Sequence, residues 1–174
     1  MGEQKIYVAC LASYNAGTLH GEWIDATLEA DEIHEQVTAM LAKSKEPGAE
    51  EWAIHDYEGF GAIQLNEYSG FEMVSKLAKA LNEQGKAFEL FYSNESFDDV
   101  DAAVEAFNER YSGEYSSPED WAENFLEDTG QLAIFPEHMK NYFDFKAYAR
   151  DAQLGGDMTF LENGHRSVFV FNSF

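Results

Sequence analysis

Hydrophobic positions along the chain change period several times, and each change predicts an element. Residues 6–11 form an apolar run rich in β-branched and aromatic side chains, which predicts a strand. The turn residues Asn15, Ala16 and Gly17 follow, and residues 18–25 read as a second strand, so that the pair suggests a meander. Between residues 31 and 43 the period becomes helical, with Ile33, Val37, Met40 and Leu41 at i, i+4, i+7 and i+8. Glu46-Pro47-Gly48 ends that helix, and residues 52–57 are expected as a third strand of the same sheet. Gly59-Phe60-Gly61 is a turn without the third glycine or strand–helix context of a dinucleotide fingerprint.

The middle of the chain is helical. Ser69-Gly70-Phe71-Glu72 reads as a capping box ahead of Phe71, Val74, Leu77, Ala78 and Leu81 on one face, with Gly85 closing the helix. Residues 87–92 fit either period, and the helical one is preferred. Ser96 is expected to cap a further helix with Asp99 at its third position, turning Val100, Ala103, Val104, Phe107 and Tyr111 inward. Ser117-Pro118-Glu119-Asp120 starts another, carrying Trp121, Phe125 and Leu126 and stopped by Gly130. Short helices follow at 136–143 and 144–152, the second capped by Asp144, before a hairpin with strands at 158–161 and 167–171 around Asn163-Gly164. This order predicts an α+β fold of two or three small modules. They are an N-terminal antiparallel sheet with a helix (1–62), a helical middle (63–112), and C-terminal helices with a β-hairpin (113–174).

Composition alters the picture at the surface. The 174 residues are 45% hydrophobic and 15% aromatic, enough to close real cores, yet 33 acids face 11 bases for a net charge of −22. The excess is spread along the chain: −9 over residues 1–60, −6 over 61–110 and −7 over 111–174, so it is not an acidic tail. Such a surface repels nucleic-acid phosphates and anionic membranes, so neither is expected as a partner. The lone cysteine, Cys10, stands in the first apolar run, where a small buried side chain is expected and an intrachain disulfide is impossible. Met1-Gly2-Glu3-Gln4-Lys5 lacks a signal peptide's basic and apolar regions, no run is long enough to span a bilayer, and the cytoplasm is the default expectation.

Catalytic patterns are sparse. The histidines are His20, His34, His55, His138 and His165; His34-Glu35 does not open a zinc motif because Thr38 stands where the second histidine belongs. Asp98-Asp99-Val100-Asp101 lacks the glycine of a calcium loop, and the sequence holds neither a nucleophile elbow nor a phosphate-binding loop. No metal or cofactor is therefore expected. The best enzyme-like cluster is His55-Asp56 beside Trp52, which reads equally as a polar pair at a strand end.

The acids themselves are patterned. Asp98, Asp101, Glu105 and Glu109 recur at spacings of three and four, opposite Val100, Val104, Phe107 and Tyr111. Glu119, Glu123 and Glu127 recur every four residues, with Asp120 and Asp128 beside them. Each like-charge i, i+4 pair costs a helix about 0.2–0.5 kcal/mol, and the only base between residues 98 and 128 is Arg110. Two explanations compete: solubility in a salt-rich cytoplasm, or imitation of a polyanion. Duplex DNA carries one charge per about 1.7 Å of axis, so a charge of −22 matches about 37 Å, or roughly eleven base pairs. A compact chain of this length has a radius of gyration near about 16 Å and hence a comparable span. Salt adaptation alone does not predict the aromatic content.

Three stretches carry a resemblance: IYVACLASYNAGTLHGEWIDA (6–26), EWAIHDYE (51–58) and EAFNERYSGEYSSPEDWAENFLED (105–128). In this order, over nearly the whole chain, they are similar to the ArdA-type antirestriction proteins. The resemblance implies an elongated, curved homodimer of small α+β modules, carried by mobile elements such as conjugative plasmids, transposons and phages. It implies a DNA mimic that occupies the DNA-binding groove of type I restriction–modification enzymes, against their specificity and methyltransferase subunits. Cleavage of incoming DNA would be blocked, and modification to some extent, without an enzymatic step or a cofactor. The acidic surface expected to meet the partner is Asp98, Asp101, Glu105, Glu109, Glu114, Glu119, Glu123, Glu127 and Asp128. Glu29, Asp31, Glu32 and Glu35 also cluster but share a face less clearly. Tyr111, Tyr115, Trp121 and Phe125 are candidates for core or dimer contacts. An acidic module for another basic partner, such as a histone-like protein, and a hydrolase built on His55 and Asp56 stay open beside the mimic.

Overall fold

The computed structural model describes residues 4–164 and 166–173; Met1, Gly2, Glu3 and His165, named above, lie outside the described residues. The fold is α+β, and the chain divides into two compact units, the first ending at Val104 and the second starting at Glu105.

In the first unit, β1 (Lys5–Cys10) is the central strand of a three-stranded antiparallel sheet, flanked by β2 (Gly21–Asp25) and β3 (Trp52–Glu58). The first two strands pair antiparallel as expected, and the third joins the same sheet by pairing with the first. The apolar character of β1 explains this, because a strand paired on both edges is the one with the most to bury. A short helix, α1 (Leu11–Asn15), also takes the end of the run expected as strand. α2 (Ala30–Leu41) packs Ile33, Val37 and Met40 toward Ile6, Val8 and Ile24, all at most 2% exposed. At an upper rate of about 25 cal/mol per Å² of apolar area, such aliphatic burial is the main force holding sheet to helix.

The next stretch, α3 (Phe71–Asn94), is two helices that meet at a kink, at the point where the sequence predicts a stop. Gly85 closes the first of them as expected, at φ 69° and ψ −149°, and residues 87–92 are helical as expected. Glycine alone takes that geometry without a Cβ clash. The buried Glu89 carboxylate accepts the Ala62 N–H at 2.9 Å and the Lys86 ammonium at 2.5 Å, fastening the preceding loop to the second of the two helices. Two expected caps are corrected. The Ser69 hydroxyl accepts from the Asn66 N–H at 3.0 Å, so Gly70 stands at the N-cap of α3 instead. Asp99, not Ser96, receives the Ala102 N–H at 2.8 Å and starts α4 (Val100–Arg110), because it is the residue adjacent to the first helical turn.

The second unit contains β4 (Tyr111–Tyr115), α5 (Pro118–Asp128), a 3₁₀ turn (Gln131–Ile134), α6 (Glu137–Lys140), α7 (Phe145–Gly155), β5 (Met158–Glu162) and β6 (Val168–Asn172). Its sheet is antiparallel with β6 between β4 and β5. β4 corrects the expectation that Tyr111 ends a helix; the strand's alternation of half-buried Tyr111, Gly113 and Tyr115 with exposed Ser112 and Glu114 is a period of two. The helix expected over 136–143 shrinks to Glu137–Lys140. β6 is buried along Val168–Phe171. Val168 and Val170 join Trp121, Ala122, Ala149 and Met158 in one core, while Phe171 meets Phe107 with ring centroids 5.7 Å apart.

Candidate acidic binding surface

α4 takes its direction from its buried side. Val100, Ala103 and Phe107 are at most 5% exposed, which leaves Asp101, Glu105 and Glu109 on the solvent side of the same helix. Asp98 is exposed just ahead of the helix. Asp101 does not stand alone: Lys76 reaches it at 2.6 Å and Glu72 at 3.1 Å. These bonds, to Asp101 first and Glu72 second, hold the Lys76 ammonium above its ordinary pKa. The base that relieves this acid comes from α3, a relation that reading neighbours along the chain could not reveal. Arg110, the base within the acidic stretch, gives its Nε–H to the Asn172 carbonyl at 2.7 Å.

Glu114 stands on β4, where one carboxylate oxygen accepts from Asn163 Nδ2 at 2.9 Å and from the Ser167 hydroxyl at 2.5 Å. It therefore also ties β4 to the hairpin loop. Burial first, then the Glu114 charge, raises the pKa of the Tyr111 phenol.

α5 is built from a complete start signal. Ser117 accepts the Asp120 N–H at 3.1 Å, Pro118 occupies the first helical position, and Gly130 adopts the left-handed conformation just beyond the end. Asp120 accepts both the Ser116 N–H and its hydroxyl at 3.0 Å, and these bonds lower its carboxyl pKa. Trp121, Ala122 and Leu126 point into the core, so Glu123, Glu127 and Asp128 are exposed and Glu119 half-buried. Among the described residues, no base lies within ion-pair distance of Glu105, Glu109, Glu119, Glu123, Glu127 or Asp128. Glu123, Glu127 and Glu137 line one shallow depression with Lys140, whose ammonium lies 2.7 Å from Glu137.

The four aromatic candidates separate. Trp121 is core at 3% exposure; Tyr115 packs against that core and Tyr111 stacks on Phe107 at 4.9 Å. Phe125, stacked on Trp121 at 5.3 Å, remains 36% exposed. Two of the four acids set aside earlier cap or pair: Glu32 accepts the Glu29 N–H at 3.1 Å, and Glu29 meets Lys79 at 2.7 Å.

The His55-Asp56 cluster does not assemble into a reactive site. An irregular register beside Val8 leaves both side chains exposed, His55 edge-on to Tyr14 at 4.7 Å and Asp56 accepting the Tyr57 N–H at 2.8 Å. Trp52 turns away to stack on Phe71 at 4.1 Å. His20 bonds the Met40 carbonyl at 2.7 Å. Among the described residues, no group of three His, Cys, Asp or Glu is placed to hold a metal, and no helix is long and apolar enough to cross a membrane.

The family model described as antirestriction protein (ArdA) matches residues 6–167. No curated protein matches the chain.

Proposed function

The chain belongs to the ArdA antirestriction family, and from that premise we propose that it acts as a DNA mimic. Its carboxylates take the places of backbone phosphates in the DNA-binding groove of a type I restriction–modification enzyme. There they face lysines and arginines of the specificity and methyltransferase subunits, blocking restriction and, to a lesser extent, modification of incoming DNA. Such an inhibitor works in the cytoplasm of a newly invaded cell, where a mobile element would deliver it. It breaks no bond and requires no cofactor.

The observation that supports this reading most is the charge density of α5. Five acids, Glu119, Asp120, Glu123, Glu127 and Asp128, occupy its 11 residues. At 1.5 Å per residue that is one carboxylate per roughly 3.3 Å, against about 3.4 Å per charge along one DNA strand. Most of these carboxylates are exposed, and among the described residues no base pairs with them. As a homodimer the protein would carry twice −22, extending the imitation over a longer duplex. Attraction of this kind speeds encounter and falls with salt as the screening length shrinks.

The test is competition. Wild-type protein should displace a duplex from a type I methyltransferase, more weakly as salt rises from about 50 to about 300 mM. Changing Glu119, Glu123 and Glu127 together to Gln should weaken displacement and flatten that salt dependence. Displacement by the triple variant equal to wild type at every salt concentration sinks the reading.

A further inference from the structure

The open face of the N-terminal sheet carries chemistry that phosphate imitation does not use. Along β1, Ile6 and Val8 are fully buried on the side of α2, which places Lys5 and Tyr7 on the other side. The register sets Trp23 and Asp56 directly opposite Tyr7, and Asp25 and Glu58 opposite Lys5. Tyr7 and Trp23 are in contact, with ring centroids 5.5 Å apart and planes tilted by 55°. The tyrosine ring lies along the sheet over Gly21, where an added Cβ would come within 2.8 Å of it. Glycine at that position is what lets the ring lie down and brace its neighbour. Trp23 nonetheless keeps 42% of its surface in solvent, and Asp56 and Glu58 are exposed.

A sheet face that carries an exposed indole, three carboxylates and one base suits one kind of guest. Anions are repelled, and an apolar guest would strip water from Asp56 without replacing it. A cation gains twice, from the ring face and from the net negative charge of the sheet face around it. The planar, weakly hydrated guanidinium stacks on indole better than an ammonium does. Asp25, on the same strand as Trp23, accepts the Thr27 N–H at 2.8 Å and hydroxyl at 2.7 Å, and Asp56 and Glu58 stand on β3, across β1 from the indole.

We propose that the Trp23–Tyr7–Asp56 row is a docking site for an arginine side chain on the surface of a basic protein partner. This rests on the reading above only in taking the partner to be a DNA-binding, hence basic, protein. The contact is mostly stacking, so it persists in salt that screens the exposed carboxylates of α5.

The experiment follows the indole N–H signal of Trp23 by NMR while a blocked hexa-arginine or hexalysine peptide is titrated into the full chain. The Trp23 signal is expected to move, with hexa-arginine binding more tightly than hexalysine. Trp23→Ala should weaken hexa-arginine binding about five-fold with an unchanged slope of affinity against salt. Trp23→Phe, which keeps a ring on Tyr7, should retain most of the affinity and controls for folding. A Trp23 signal that stays in place, or equal affinity in Trp23→Ala, overturns the proposal. Failure here leaves displacement of DNA by the wild-type protein untouched, and failure of that displacement leaves the Trp23 response intact, so the two readings fail separately.

Discussion

The two units carry similar charge for their size but treat it differently. Through Val104 the chain holds 20 acids and 6 bases, net −14; from Glu105 it holds 13 and 5, net −8. In the first unit, lysines gather acids: Lys76 takes Glu72 and Asp101, Lys79 takes Glu29, and Lys86 takes the buried Glu89. In the second, Lys140 pairs with Glu137 and Arg150 with its neighbour Asp151, and among the described residues no base reaches Glu119, Glu123, Glu127 or Asp128. The cores differ in the same sense. Large side chains under 2% exposed come mostly from the first unit, whereas the second leaves Ile134, Tyr142 and Leu154 each at least 79% exposed. The lesson is that net charge alone does not locate a polyanion-like surface; what matters is where the bases were spent.

The sharpest way to break this contrast is through the smaller core. Trp121→Ala removes the ring at the centre of Ala122, Ala149, Met158, Val168 and Val170. It should cost about 3–5 kcal/mol, read as an early unfolding step confined to residues beyond Glu105 in hydrogen exchange. An unchanged melting profile would mean the second unit is held by something other than this cluster.

A smaller effect concerns the start of α5. Ser117→Ala should cost about 1 kcal/mol by chemical denaturation. Asp120 adds a pH dependence of known sign. Its folded pKa is lowered, so its contribution is present above the ordinary carboxylate value near about 4 and is lost as pH falls through the folded value. The difference in melting temperature between wild type and Asp120→Asn should therefore shrink as the solution is acidified below that range. A difference that grows in acid would contradict the assignment.

The smallest expected change sharpens the comparison most. Glu123→Gln with Glu127→Gln removes a like-charge pair on α5 and should stabilise the protein by about 0.2–0.5 kcal/mol at low salt and less at high salt. If the same double variant loses activity against its target, the uncompensated acids are kept for binding at the expense of folding.

How much of this was legible in the sequence depended on whether the signal was local. α5 declared itself through Ser117, Pro118 and Gly130, and α7 through Asp144, which accepts the Ala147 N–H at 2.9 Å. The family, too, was legible, from runs of residues in order. β4 was missed because its alternation is only five residues long and abuts a strong helix, although Tyr111, Gly113 and Tyr115 do mark it. The pairing of β3 with β1, and Lys76 with Asp101, are tertiary facts without a local trace. Ser69 and Ser96 misled for a related reason: capping depends on which neighbouring N–H reaches the hydroxyl, and at Ser69 a turn claims it first.

A glycine with positive φ between two helices looks like a joint. Just beyond Gly85 the second helix is anchored, because Glu89, four residues on, grips the Ala62 N–H across 27 positions of chain. Swinging that helix away would first have to pull a buried carboxylate off its donors, so one acidic side chain sets how the loop and the helix meet.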